Sequence, residues 1–332
     1  MSRRLMSILL VLGFMPVIWL REPRPPRNDS QTVIAAALKL PVGQTRLGPL
    51  RLTGAWRVTS PNSAFGGYSA LLAPGAGQLT AFSDTGIRLD LPQPGVAGPA
   101  RIAPVMPEKS GVKSYRDVES ATRDPASGTV WVALEGRNIF IRFDPGAAGP
   151  ATIAGPELAG WSKNSGAEAM VRLADGRFLV ICEGGEPAHP ARLLPRAPDG
   201  TDRALRFSFV APDGYRPTDV AQLPDGRVLI LLRELRWPMP PRFGTKLVLA
   251  DPAAIQRGDE WRGTVLASLD GTGLEENYEG LAIEPGSDGQ LRAWLISDDN
   301  MAATQRTLLL RLEFRLSDLP PRSAPEKQKA PG

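Results

Sequence analysis

Five stretches of this sequence follow one pattern and recur about every 50 residues. Each opens with small or acidic residues, continues into an apolar run, turns, and returns through a second apolar run to a polar end. The stretches cover residues 67–86, 117–136, 166–185, 218–235 and 278–300. One strand–turn–strand unit cannot bury both of its faces alone, so a repeat of this length predicts units stacked around an axis as a β-propeller.

The turns and strands inside the repeats favour β-hairpins in a single all-β domain. Asp175–Gly176, Asp225–Gly226 and Asp288–Gly289 provide residues that tolerate the positive φ angles of tight turns. Apolar runs such as Thr129–Val132 are rich in strand-forming residues, and long amphipathic helical patterns are absent from the sequence. The prediction is an all-β chain that forms one β-propeller, with another all-β sandwich or a solenoid as the alternative.

The number of blades follows from the length of the repeated region. Five repeats are visible, and the roughly 270 residues between 46 and 316 would hold five or six blades of about 50 residues. A sixth, degenerate blade would lie in residues 235–265. The strand predicted at Leu52–Val58 would close the ring by pairing with Leu308–Phe314.

Acidic residues recur at equivalent positions of these hairpins. The first strands open at Ser69, Glu119, Glu168, Asp219 and Glu279. The second strands end near Asp84, Glu135, Glu183, Arg233 and Asp298. Because the start of one strand lies beside the end of its antiparallel partner, innermost first strands would bring all ten side chains to one mouth of the central channel.

Carboxylates gathered in this way repel one another, and a divalent cation would offset the repulsion. Calcium is the expected ion, because it accepts irregular geometry from oxygen ligands. We expect Glu119, Glu168 and Glu279 to act as ligand or general base, without dividing these roles. The expected metal ligands are Asp84, Glu135, Glu183, Asp219 and Asp298, and the expected substrate-binding residues are Arg88, Lys163, Arg233 and Asn300. The alternative is that the acidic residues only cap loops or bind backbone amides between blades.

The rarity of histidine and cysteine limits the chemistry. The sequence has one histidine, His189, and one cysteine, Cys182, which excludes an intrachain disulfide and a zinc site rich in these residues. The G-x-S-x-G motif, the Walker loop and the dinucleotide fingerprint are absent from the sequence. The formal net charge of +4 comes mainly from the two ends of the chain, so no basic stripe predicts nucleic-acid binding.

The first 20 residues have the layout of an export signal. Arg3 and Arg4 precede an apolar run from Leu5 to Leu20, and an uncleaved run would anchor the chain to a membrane. We expect a periplasmic or secreted protein, or one held at the inner membrane through residues 5–20. The expected organisation is a signal or anchor at 1–20, a linker at 21–45, the propeller at 46–316 and a disordered tail at 317–332.

Seven short pieces carry a family pattern in order along the chain. They are Gly66–Leu71, Ser83–Gly86, Asp117–Ala121, Asn164–Ala169, Pro217–Val220, Tyr278–Leu281 and Ile296–Asn300. Together they resemble the phytase-like domain family, known as esterase-like activity of phytase. The resemblance implies a bacterial, exported propeller that hydrolyses phosphoesters or esters. The fourth repeat departs from the family pattern, because Pro217-Thr-Asp219 stands where a Glu-Gly or Glu-Ala motif is expected.

These observations predict a metal-assisted hydrolase of a phosphoester or ester of a small, anionic molecule. The ion would polarise the ester, and a carboxylate would activate water. The alternative from another class is a non-catalytic ligand- or partner-binding propeller of the cell envelope. Lactone hydrolysis is a third hypothesis.

Overall fold

The computed structural model describes residues 26–322 except 76, 107–115, 148, 155–157, 159–160, 162–165, 196–203 and 237–241. Over these residues the chain is almost entirely β-strand, which confirms the predicted fold class. Three short 3₁₀ helices accompany the strands in the described part, at Glu135–Arg137, Pro252–Ala254 and Leu316–Asp318. No helix among the described residues is long and apolar enough to cross a membrane. The predicted signal or anchor at 1–20 lies outside the described residues.

Five sheets form the blades of a five-bladed β-propeller, each built outward from an inner strand. Blade 1 contains β4 (Tyr68–Gly75), β5 (Gln78–Ser83), β6 (Ile87–Pro92) and β7 (Arg101–Pro104). Blade 2 contains β8 (Val118–Arg123), β9 (Val130–Leu134), β10 (Ile139–Phe143) and β11 (Ala151–Ala154). Blade 3 contains β12 (Ala167–Arg172), β13 (Phe178–Cys182), β14 (Ala188–Leu194), β15 (Leu205–Val210) and β19 (Glu260–Trp261).

Blade 4 is formed by neighbouring parts of the chain, whereas blade 5 is completed by strands from both ends of the folded region. Blade 4 contains β16 (Arg216–Gln222), β17 (Val228–Arg236), β18 (Arg242–Ala250) and β20 (Thr264–Ser268). Blade 5 contains β21 (Asn277–Pro285), β22 (Gln290–Asp298), β23 (Leu308–Arg315), β3 (Leu50–Thr59) and β1 (Ile34–Ala37), with β2 (Arg46–Leu47) paired to β3. The inner strands β4, β8, β12, β16 and β21 each contact the next, and β21 contacts β4, so the ring is closed.

Closure of the ring depends on pairing between the two ends of the folded region. Strand β3 pairs antiparallel with β23, from Arg57 opposite Leu308 to Arg51 opposite Glu313. This confirms the pairing predicted for Leu52–Val58 and Leu308–Phe314. All the inner strands begin at one face of the disc, which we call the mouth face. Strands β5, β9, β13, β17 and β22 end there because they run antiparallel to the inner strands.

The hydrophobic core is divided into five clusters, one between each pair of neighbouring blades. Both faces of a blade are covered, so strands such as Phe178–Cys182 are buried along their whole length. Tyr68 and Trp294 are fully buried between blades 5 and 1. Each such side chain contributes about 1.5–3 kcal/mol through burial of apolar surface. The apolar runs of the repeats therefore hold neighbouring blades together.

Three predictions of chain organisation differ from the structure. The sixth blade predicted in 235–265 is wrong, because β18 and β20 complete blade 4 and β19 joins blade 3. The predicted linker at 21–45 contains strand β1, which pairs with β3. In the predicted disordered tail, Leu319 is buried and the carbonyl of Pro320 accepts a hydrogen bond from Arg227. Apolar contacts and backbone pairing therefore extend the folded unit at both ends.

Candidate functional site

Every inner strand has a β-bulge close to its start. In each blade the pairing register between the first and second strands shifts near the start of the inner strand. The unpaired residues are Ser69, Glu119, Glu168, Thr218 and Glu279. A bulge re-aims its side chain out of the regular alternation and is frequent beside functional sites. The repeated irregularity explains how three glutamates leave the interblade core and reach the channel.

Carboxylates from four blades meet at the mouth face. Glu119 is electrostatically coupled to Glu168, Glu279, Glu135 and Asp84. The ends of the second strands contribute Asp84, Glu135, Glu183 and Asp298, as the sequence predicted. We call the whole group the acidic mouth, and it comprises Asp84, Asp117, Glu119, Glu135, Glu168, Glu183, Glu279 and Asp298.

The protonation of the acidic mouth is strongly perturbed. The pKa of Glu119 is raised well above its ordinary value of 4.5, mainly by burial and secondly by repulsion from Glu168. The pKa of Glu168 is raised in the same way, mainly by burial and secondly by repulsion from Glu183. Burial and the charge of Glu279 also raise the pKa of Asp298. Part of this group is therefore held in the protonated form unless a positive charge is supplied.

Three of these carboxylates lie close enough to share an ion. Oxygen atoms of Asp117, Glu119 and Glu135 all lie within 4.8 Å of one another. Glu119 opens the inner strand of blade 2, and Glu135 follows its second strand, so their proximity is that of neighbouring ends in a hairpin. Burial and the charge of Asp117 raise the pKa of Glu135, and the side chain of Glu168 in blade 3 offsets part of that rise. The sequence missed Asp117, which stands two residues before Glu119.

The opposite side of the acidic mouth already has a counter-charge. Arg233 Nη2 donates to Glu183 Oε1 at 2.6 Å, and Arg233 Nε lies 3.6 Å from Glu279 Oε1. Burial alone would lower the pKa of Arg233. The charges of Glu279 and Glu183 more than offset this, so the pKa is raised overall and the guanidinium is charged. Arg216, which is half exposed, also approaches Glu183 at 3.7 Å and pairs with Glu186. Arg233 thus reaches the predicted site, where it is bound to carboxylates.

A buried amide side chain, Asn277, contacts two carboxylates of the acidic mouth. Asn277 is 1% exposed, and its Nδ2 donates to Glu279 Oε1 at 2.9 Å and to Asp298 Oδ2 at 3.4 Å. Its Oδ1 is buried without a hydrogen-bond partner among the described residues. Such an unsatisfied acceptor costs about 1–3 kcal/mol. The sequence missed Asn277, although it stands directly before the family-like piece Tyr278–Leu281.

Asp219 does not belong to the acidic mouth, contrary to the expected alignment of the repeats. The bulge of blade 4 falls on Thr218, and Asp219 turns into the protein, where it is 1% exposed. Its carboxylate accepts hydrogen bonds from the amides of Val220 at 2.8 Å and Leu281 at 2.6 Å. The alternative of a carboxylate that binds backbone amides between blades is therefore correct for this residue.

The other predicted substrate-binding residues are scattered. Arg88 lies on β6, two strands outward from the channel, where it pairs with Asp90 and lines a groove between blades 1 and 2. Its predicted place beside the acidic mouth is wrong. The backbone N–H of Asn300 donates to Asp298 Oδ1 at 2.6 Å, while its side chain bonds Gln305. Lys163 lies outside the described residues.

Comparison with models of protein families shows the family to which this chain belongs. The sequence matches the phytase-like family, described as esterase-like activity of phytase, over residues 63–301. The chain belongs to this family. The matched region begins just before the first inner strand and includes every residue of the acidic mouth. The predicted resemblance is confirmed, and membership supports a hydrolase-like propeller at the level of the family.

The solved structures that match the chain are distant from it in sequence. A nidogen/laminin complex shares 10% identity, covers 86% of this chain and 93% of that chain, and gives a TM-score of 0.44. The PQQ-bound aldose sugar dehydrogenase from Streptomyces coelicolor shares 11% identity, covers 86% and 100%, and gives 0.43. A luciferin-regenerating enzyme shares 10% identity, covers 90% and 92%, and gives 0.42. A search of curated proteins finds no match.

Proposed function

We propose that this phytase-like propeller is a metal-assisted hydrolase of a phosphoester or ester of a small anionic molecule, with calcium bound at the acidic mouth. The observation that carries the proposal is the meeting of carboxylates from four blades around the channel. Their pKa values are raised by burial and by one another. A fold that only capped loops with these residues would not need to gather them in one place.

The donor set of the acidic mouth fits a hard divalent cation. Asp117, Glu119 and Glu135 provide carboxylate oxygens within 4.8 Å of one another. Asn277 provides an amide oxygen that lacks a hydrogen-bond partner among the described residues. Calcium takes six to eight such oxygen ligands and tolerates irregular arrangements. Asp117, Glu119 and Glu135 are the residues proposed to hold the ion, with Glu168 beside them.

The protein residues supply positioning and proton transfer. A bound cation would polarise the ester or phosphoryl oxygen of the substrate. Glu168 is the proposed general base, because it opens the inner strand of the neighbouring blade beside Glu135 and because burial and the charge of Glu183 raise its pKa above the ordinary value of 4.5. Arg216 is half exposed at the rim and is proposed to orient the anionic group of the substrate.

Hydrolysis is tested with phosphomonoester, carboxylester and lactone substrates, each with calcium and with a chelator. We expect turnover of one ester class that the chelator abolishes and that Glu168→Gln reduces by at least about 100-fold, the usual contribution of a general base. Glu260→Gln is the matched control, because Glu260 is an exposed carboxylate outside the acidic mouth that pairs with Arg262. Calcium binding without turnover of any substrate would favour a binding propeller instead.

We also propose that the chain is exported, with residues 5–20 retained as an inner-membrane anchor. The support is the basic start at Arg3 and Arg4, followed by a predominantly apolar run of 16 residues from Leu5 to Leu20. A small-residue cleavage motif of the A-x-A type does not directly follow the run, and Arg21–Arg27 forms a basic, proline-rich spacer there instead.

A further inference from the structure

The segment that follows the spacer is bound to the mouth face of the propeller. Asn28 exchanges backbone hydrogen bonds with Ser63, through its N–H to Ser63 Oγ at 3.1 Å and its carbonyl to the Ser63 N–H at 2.9 Å. Asn62 Nδ2 donates to the carbonyl of Ser30 at 2.7 Å, and Ser60 Oγ donates to that of Thr32 at 2.7 Å. The chain is therefore fastened to the loop between β3 and β4 before it enters β1.

Strand directions place this attachment on the same face as the acidic mouth. Strand β22 ends at the mouth face with Asp298, and its antiparallel partner β23 begins there. Strand β3, antiparallel to β23, ends there at Thr59, and Ile34 at the start of β1 lies opposite Thr59. Residues 28–33 therefore lie at the mouth face. The loop they contact continues to Gly67, whose N–H donates to Asp299 Oδ1 beside the acidic mouth.

The other end of the folded region leaves from the opposite face. Strand β23 runs away from the mouth face, and the residues after it reach the β16–β17 turn, where Arg227 Nη1 donates to the carbonyl of Pro320 at 2.6 Å. Arg322 pairs with Asp251 at 3.6 Å. The two ends therefore leave from opposite faces of the disc, and only the N-terminal one leaves beside the acidic mouth.

We propose that the N-terminal apolar run holds the propeller with its acidic mouth turned toward the membrane, so that the site faces a bilayer surface and takes substrates presented there. This rests on the proposal that residues 5–20 remain attached. Seven residues lie between Leu20 and Asn28, and a fully extended chain across these eight Cα–Cα steps spans at most about 28 Å. Arg21, Arg24 and Arg27 add attraction to anionic lipid headgroups. The short spacer keeps the mouth face closer to the bilayer than the opposite face.

The orientation is testable with two labels at opposite ends of one blade. Ala303 is exposed in the loop that joins β22 to β23 at the mouth face, and Ser287 is exposed in the turn that joins β21 to β22 at the opposite face. Strand β22 between them spans about 30 Å. Two variants of the full chain, Ala303→Cys and Ser287→Cys, each combined with Cys182→Ala, would carry a donor dye on the new cysteine. Each labelled chain would be reconstituted into phosphatidylcholine–phosphatidylglycerol vesicles that contain an acceptor-labelled lipid.

We expect higher energy transfer to the lipid from position 303 than from position 287. A flexible Gly/Ser insertion of about 30 residues between Arg27 and Asn28 should remove most of the difference, because it lets the disc turn over. Equal or reversed transfer with the native spacer would overturn the proposal, and so would a full chain that does not float with the vesicles. Neither result depends on calcium binding or hydrolysis, so the outcome is separate from that of the proposed function.

Discussion

Protonation of single glutamates decides how the acidic mouth behaves without a cation. Burial raises the pKa of Glu119 and Glu168 well above 4.5, and nearby carboxylates raise it further. Arg233 offsets part of this charge, but it is bound on the side of Glu183 and Glu279. The metal-free folded state therefore holds protons that the unfolded chain would release at neutral pH.

In the presence of a chelator, replacing either glutamate should therefore increase the free energy of unfolding by an amount that depends on pH. A pKa raised on folding gives stability that is fully present below about pH 4.5 and is lost as pH rises through the raised value. Glu119→Gln and Glu168→Gln remove that loss. Each variant should match the wild type near pH 4.5 and exceed its free energy of unfolding at about pH 7.5. Urea unfolding across this range measures the difference, and a difference that does not change with pH would contradict the assignment.

Sequence reasoning found the residue types of the site but not all of their positions. Glu119, Glu168 and Glu279 were predictable because equivalent positions in a repeat meet around an axis. The bulge position of blade 4 was assigned to Asp219 instead of Thr218, because the alternation of apolar and polar residues does not show where a bulge lies. Arg88 was misplaced because the composition of its strand does not show whether that strand is an inner or an outer strand of the blade. Asn277 was missed because an unsatisfied acceptor is visible only once neighbours are in place.

Inner strands are linked to one another by side chains close to their bulges. Ser120 Oγ donates to the carbonyl of Ala167 at 2.6 Å, and Thr218 Oγ1 donates to that of Tyr278 at 3.1 Å. Asp219 on β16 accepts the amide of Leu281 on β21 in the same region. These bonds fix the spacing of neighbouring inner strands, and so the distances between the carboxylates that the bulges present.

At the scale of the strands, Asp219→Ala should destabilise the propeller without removing its cation site. Two buried amides lose their acceptor, which should lower the free energy of unfolding by about 2–4 kcal/mol. The stabilisation produced by calcium should be unchanged, because Asp219 is not part of the acidic mouth. Urea unfolding with and without calcium tests both statements, with Asp213→Ala, at an exposed position, as the control. Loss of the calcium effect in Asp219→Ala would place this carboxylate in the site after all.

The whole molecule was largely predictable because its architecture repeats. The period of about 50 residues and the pairing of Leu52–Val58 with Leu308–Phe314 were sufficient for a closed ring. The extra blade in 235–265 was suggested because about 270 residues at a period near 50 leave room for five or six blades. The structure shows that this region completes blade 4 with β18 and β20. Strand β1 was not predicted, because Ile34–Ala37 is a short alanine-rich edge that depends on β3 for its hydrogen bonds.

Export should follow from the N-terminal segment alone. A reporter enzyme that is active only outside the cytoplasm, fused after Arg27, should be active in a bacterial host. Leu10→Arg, which places a charge in the middle of the apolar run, should abolish that activity. Reporter activity of the fusion and the variant measures this directly. A cytoplasmic fusion would contradict both the export proposal and the membrane orientation, while leaving the acidic mouth untouched.

A calcium titration of thermal unfolding tests the central claim most directly. A ligand at 100 times its dissociation constant stabilises the folded form by about 2.7 kcal/mol, so Tm of the wild type should rise by about 5 °C. Glu119→Gln and Glu168→Gln should shrink this rise and remain folded, whereas Glu260→Gln should show the wild-type response. A calcium-independent Tm, or the same rise in all four proteins, would contradict the account and leave the acidic mouth as a purely structural arrangement.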